Sequence, residues 1–188
     1  MTTFSVVLFL HLLGALFLFM AFAVEWVILG RVRSCTSLEQ ARPWLMAGKP
    51  VPLLGAIGGI GVLIPGLFLA AHEVVWAQAW IQAAITTSVV IALLGVIITG
   101  PRMRALAKAA QEAVPGAAQG TGQTGSSALR RLRDPAVVFS LRFRALIAVG
   151  VLYLMAAKPG TKGTIVATAI SYVLGVLISI PALSHREA

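Results

Sequence analysis

The chain has 188 residues, 59% of them hydrophobic and 11% charged, with a mean hydropathy of +0.93. Such a composition excludes a soluble enzyme built around one water-excluding core. Fifteen Lys and Arg against six Asp and Glu give a net charge of +9. In a chain of apolar blocks that surplus belongs to membrane orientation, and without basic and aromatic residues interleaved it is no nucleic-acid footprint.

Five blocks are long enough to cross about 30 Å of hydrocarbon at about 1.5 Å per helical residue. They run Phe4 to Gly30, Val51 to Ala71, Gln78 to Thr99, Val137 to Ala157 and Gly163 to Pro181. The expected fold is therefore all-α, a polytopic membrane helix bundle of five transmembrane helices. The first block has no strongly basic leader, so it reads as a retained helix rather than a cleaved signal. The fourth carries Arg142 and Arg144 in its first third and crosses only if those side chains snorkel or find partners.

Arg31, Arg33, Arg42 and Lys49 stand against Glu39 in the first long connection, and the segment from Gly100 to Arg144 holds eight basic residues against Glu112 and Asp134. Both connections are expected in the cytoplasm, which puts the N-terminus outside and the C-terminus inside a bacterial inner or plasma membrane. Trp26, Trp76 and Trp80 fall at block ends as interfacial anchors, and Trp44 anchors a stretch along the inner surface. Residues 1–110 form a three-helix part with an inner basic loop. Residues 111–128, rich in Gly, Gln, Thr and Ser, read as a flexible cytoplasmic linker, and 129–188 as a two-helix part. Gly55 and Gly59 in the second block, and Ala167, Ser171, Gly175 and Ser179 in the fifth, are small residues at four-residue spacing, which permits close helix contact.

Ionisable groups within hydrocarbon need partners. Glu25 lies near the inner end of the first block, level with Arg142 and Arg144 on the fourth and Arg102 beyond the third. A carboxylate–guanidinium pair is the natural solution there, acting as a structural lock or a relay. His11 lies in the outer half, and His72 ends the second block beside Glu73. Tilt that brings the two imidazoles together makes them axial ligands for haem iron, or metal ligands with Glu73 and Met155. Lys158 and Lys162 flank a Pro-Gly turn at the outer surface, placed to neutralise acidic groups such as haem propionates or phospholipids. His185 falls on the cytoplasmic tail, as a solvated residue.

Cys35 is the only cysteine, which excludes an internal disulfide and any multi-thiolate cluster. No phosphate-binding loop, dinucleotide fingerprint, zincin motif or nucleophile elbow is present, so catalysis has no local signature.

His11 with Leu12 and Gly14, and the MAAKPG run from Met155 to Gly160, resemble small bacterial integral-membrane families of uncharacterised function. They are distantly similar to the membrane domain of copper-resistance proteins and to the haem-containing protoporphyrinogen oxidase of bacteria, which place a histidine early in a first helix. The likeness covers about four helices in layout and few residues in identity. It implies haem b or copper at His11, with His72 a positional candidate for second ligand. Three functions follow as expectations: haem- or metal-associated electron transfer or metal handling, a small transporter or transport accessory, and a non-catalytic partner of another membrane protein or of a second copy.

Overall fold

The computed structural model describes residues 2–72, 76–112 and 135–180. These residues form an all-helical bundle in which five stretches are long and apolar enough to cross a membrane. α1 spans Thr3–Arg33 and starts at Thr2, whose side chain accepts a hydrogen bond from the Ser5 amide. A short helix, α2 (Leu38–Ala47), follows, capped by Ser37 and carrying Glu39 in its first turn. α3 covers Val51–His72 and α4 Ala79–Leu94. After a π turn at Gly95–Thr99 the rod continues as α5, Gly100–Glu112. Beyond the undescribed segment come α6 (Pro135–Ala157) and α7 (Thr161–Ser179). Apart from residues 111 and 112, which end α5, the expected linker lies outside the described residues, as do Glu73 and His185.

Large apolar side chains such as Leu12, Leu53, Ile64, Val96, Ile165 and Leu177 are exposed around the bundle. A helix apolar on every side is made for lipid, so this surface is the hydrocarbon-facing belt of a multi-pass membrane protein.

With lipid as apolar as leucine, the helices are held by close packing and polar contacts. α1 and α3 show the first of these. Phe4 faces His72, His11 faces Gly66, Gly14 faces Gly61, Leu18 faces Gly58 and Ala21 faces Gly55. The α3 number falls as the α1 number rises, so the pair is antiparallel. A Cβ added at Gly14 would lie 2.3 Å from the Gly61 carbonyl carbon, and one at Gly58 2.5 Å from the Leu18 nitrogen. The tight contact therefore runs through Gly14, Gly58 and Gly61, while Gly59 has nothing within 4 Å of its added Cβ. The small-residue stripe of α7 packs as its spacing predicts: Gly150 of α6 sits on Ser171, Phe143 of α6 on Gly175, and Ser179 is buried.

Two sets of helices result. α1 and α3 pair closely, and α4 packs chiefly on α6, which pairs with α7; contact between α3 and α4 is sparse. α2 lies across the C-terminal end of α1, burying Ala41 and Leu45 against Ile28, Val32 and Cys35. Its tryptophan, Trp44, carries the Arg31 guanidinium 5.5 Å from its ring centroid.

Candidate functional site: two cavities between the helix sets

The space between the two sets is not filled. A cavity of about 480 Å³ toward the Arg33 end of α1, named the inner cavity, and one of about 460 Å³ toward its Thr3 end, named the outer cavity, lie along the bundle. Leu18, Val62, Leu63, Ser88 and Ile91 line both, forming the wall between them.

The inner cavity is built around a buried ion pair. Glu25 of α1 and Arg144 of α6 are 6% and 7% exposed, so neither charge is solvated by bulk water. Arg144 Nη2 lies 3.0 Å from both Glu25 carboxylate oxygens and donates to Thr99 Oγ1 at 3.1 Å. The Thr99 hydroxyl stands 3.1 Å from Ser140 Oγ, and Arg144 Nε donates to the Ser140 carbonyl at 3.3 Å. The Phe22 ring lies against the guanidinium, 5.4 Å from its central carbon to the ring centroid. Charge, hydrogen bonds and an aromatic face together offset the cost of removing both ions from water.

Thr99 reaches this network because of the π turn. Pro101 has no N–H and its ring crowds the carbonyl four residues back, so the ladder widens just before it, with the Gly100 N–H donating to Gly95. The extra residue in that turn rotates Thr99 toward the bundle interior. Gly95 completes the fit, because a Cβ there would stand 3.0 Å from Arg144 Nη1.

Of the three arginines expected near Glu25, Arg144 is the one that pairs with it among the described residues. Arg142 points outward, donating to the Ile178 carbonyl at 3.3 Å and lying over Trp26 at 5.7 Å. Arg102 donates to the Ile98 carbonyl one turn back on its own rod.

The outer cavity is mostly apolar and carries His11, Gln78, Trp80, Met155 and Lys158 in its walls. His11 Nδ1 lies 2.9 Å from the Val62 carbonyl. A carbonyl only accepts, so Nδ1 carries the proton, and in the neutral form of the ring the lone pair is on Nε2. Gly66 makes room for the ring, since a Cβ there would stand 3.0 Å from His11 Cε1. Lys158, at the end of α6, adopts a left-handed backbone with φ of 44° and places its ammonium 5.9 Å from the Trp80 ring centroid.

His72 is placed elsewhere. It is exposed at the end of α3, with its ring 6.1 Å from those of Phe4 and Phe68. Gly66 faces His11, and six residues of helix put His72 about 9 Å further along the bundle axis. His72 does not line the outer cavity, and Glu73 is outside the described residues. Among the described residues no three His, Cys, Asp or Glu side chains converge as a metal-ion site.

Sequence reasoning missed Thr99, Ser140 and Gly95. The first two are ordinary polar residues in apolar blocks, and the signal for Thr99 was Pro101 two positions later. No family model matches the chain, and neither does any curated protein or solved structure.

Proposed function

We propose that this is a multi-pass protein of the bacterial plasma membrane that holds a b-type haem in its outer cavity through His11, serving one-electron transfer or haem handling. The observation that carries the reading is the His11 imidazole, fixed by Val62 with its Nε2 lone pair available, in an apolar cavity of about 460 Å³. Metal-ligating histidines are commonly oriented in this way by a backbone carbonyl, and cofactor sites occupy about 300–1,000 Å³. Met155 in the same cavity carries a thioether that would hold the iron together with His11, and Lys158 would supply a cation for the propionates. A haem needs one or two protein ligands, whereas a bare copper ion needs a denser donor set, so the donors present favour haem. Bound haem supplies reversible one-electron chemistry; the chain's own residues orient it, exclude water and compensate its acidic edge.

A reduced-minus-oxidised spectrum of purified protein tests this. The expected result is near-stoichiometric haem, lost in His11→Ala and kept in His72→Ala, with both variants folded. A folded preparation that takes up no haem after supplementation, or a His11→Ala variant that retains it, overturns the reading. The stacked cavities would then favour a small transporter, because they form an interrupted route through the bundle.

The proposed orientation places the Thr3 end of α1 outside and the end of α7 in the cytoplasm. It rests on Arg31, Arg33 and Lys49 at one end of the bundle, joined by Arg102, Arg104 and Lys108 on the continuous α4–α5 rod. In a Cys35→Ser background, a membrane-impermeant maleimide should label Gly160→Cys in intact cells and Lys49→Cys only after lysis. The reverse pattern inverts the topology.

A further inference from the structure

The inner cavity contains a hydrogen-bond donor that the ion pair does not use. Arg144 is 7% exposed, its Nε is committed to Ser140 and its Nη2 to Glu25 and Thr99. Its Nη1 makes no hydrogen bond among the described residues and lies beside bare Gly95 in the cavity wall. Facing the cavity without a protein acceptor, this N–H is free to donate to a bound molecule that carries one.

The shape of the cavity narrows the class of molecule. Gly55 and Gly59 of α3 line it with Gly95 and Gly100 of the α4–α5 rod. With no side chains at Gly55 and Gly59, the α3 wall leaves a slot suited to a flat body. Gly59 in particular has nothing within 4 Å of an added Cβ, so space is open beside it. Charge narrows the class again. Glu25 already balances Arg144 at 3.0 Å, so a second buried anion would bring an uncompensated charge, whereas a neutral carbonyl oxygen can accept from Nη1 at no such cost. Sparse contact between α3 and α4 leaves the slot with a thin wall toward lipid.

We infer that the inner cavity is a binding site for a neutral, membrane-soluble carbonyl compound of the quinone type, with one carbonyl oxygen accepting from Arg144 Nη1 and the ring lying in the glycine slot. This site is distinct from the outer cavity and stands whether or not haem occupies that cavity.

The test is titration of the purified full-length protein in detergent with a short-tail benzoquinone, read as a shift in thermal unfolding and as direct binding by calorimetry. Gly59→Leu fills the slot without meeting a neighbour at its Cβ and leaves the ion pair intact. Ile97→Phe adds bulk on the lipid-facing surface, where Ile97 is 65% exposed, and serves as the control. The expected result is saturable quinone binding that Gly59→Leu weakens at least tenfold and Ile97→Phe leaves within twofold, both variants unfolding near the wild-type temperature. If Gly59→Leu is unfolded, Ala56→Phe, on the same cavity wall, replaces it with the same expectation. No binding to the wild type, equal binding to the filled variant, or tighter binding of a fatty acid carboxylate than of the quinone overturns the inference.

Discussion

Glu25→Ala should destabilise the bundle by about 3–5 kcal/mol, because it leaves the Arg144 guanidinium buried without its counter-charge. Arginine cannot shed its proton in a protein, so the charge persists, and Thr99 and the Ser140 carbonyl compensate only part of it. Arg144→Met should cost less. Its side chain fills similar space, and the orphaned Glu25 can take up a proton and become a neutral acid, an escape that the arginine lacks. The double variant Glu25→Ala/Arg144→Met removes both charges and should be more stable than Glu25→Ala alone, the mark of direct coupling. Thermal or denaturant unfolding in a fixed detergent measures all three. If Glu25→Ala and Arg144→Met cost the same, or the double variant loses the sum of the two, the pair is not the lock between α1 and α6.

That lock explains how the fourth block crosses at all. From sequence, Arg144 shortens the apolar run of α6; in the bundle it is spent on α1 and Thr99, and α6 is the most buried of the five spans. The second arginine, two residues earlier, faces the opposite way and leaves its charge near the surface over Trp26. Residues two apart on a helix do not share a face, so one could pair with Glu25 and the other could not. Depth along the chain was readable, whereas the rotation of α6 that chooses between them depends on how α7 and α4 pack against it.

The spans themselves were legible because a bilayer demands long apolar runs. α3 begins at Val51 as the hydropathy predicts, and α6 ends at Ala157. The short α2 was expected only as a surface stretch, although Ser37 followed by Glu39 and Gln40 is a helix-start signal in a polar connection. The glycines of α3 show where spacing stops being informative. Gly55 and Gly59 have the four-residue separation, yet the close approach uses Gly58 and Gly61, because the partner surface is set by Gly14 and Leu18 on α1. A motif on one helix cannot report the rotation of its neighbour. The same limit applies to His11 and His72, whose separation follows from the antiparallel register of α1 and α3, a quantity that no single block contains.

Gly14→Leu is expected to force apart the seam between α1 and α3. Even an alanine there would bring its Cβ 2.3 Å from the Gly61 carbonyl carbon and 2.7 Å from the Val62 nitrogen, and these are backbone atoms that no rotamer change can move aside. The helices must separate, so the cost should reach at least about 3 kcal/mol, the upper end of ordinary overpacking, with Gly14→Ala already a large part of it. Gly59→Ala is the matched control. Nothing lies within 4 Å of its added Cβ, and the gain in helix propensity makes it neutral or slightly stabilising. Gly14 is also one turn from His11, whose hydrogen bond to Val62 spans the same seam. Pushing α1 from α3 by an ångström breaks that bond and frees the imidazole to rotate, so a Gly14→Ala protein that still folds should bind haem more weakly than wild type, while Gly59→Ala binds it equally. Unfolding temperature and haem content, measured on the same preparations, separate the two effects. A Gly14→Ala protein with wild-type stability would show that this seam is not the contact holding the hairpin together.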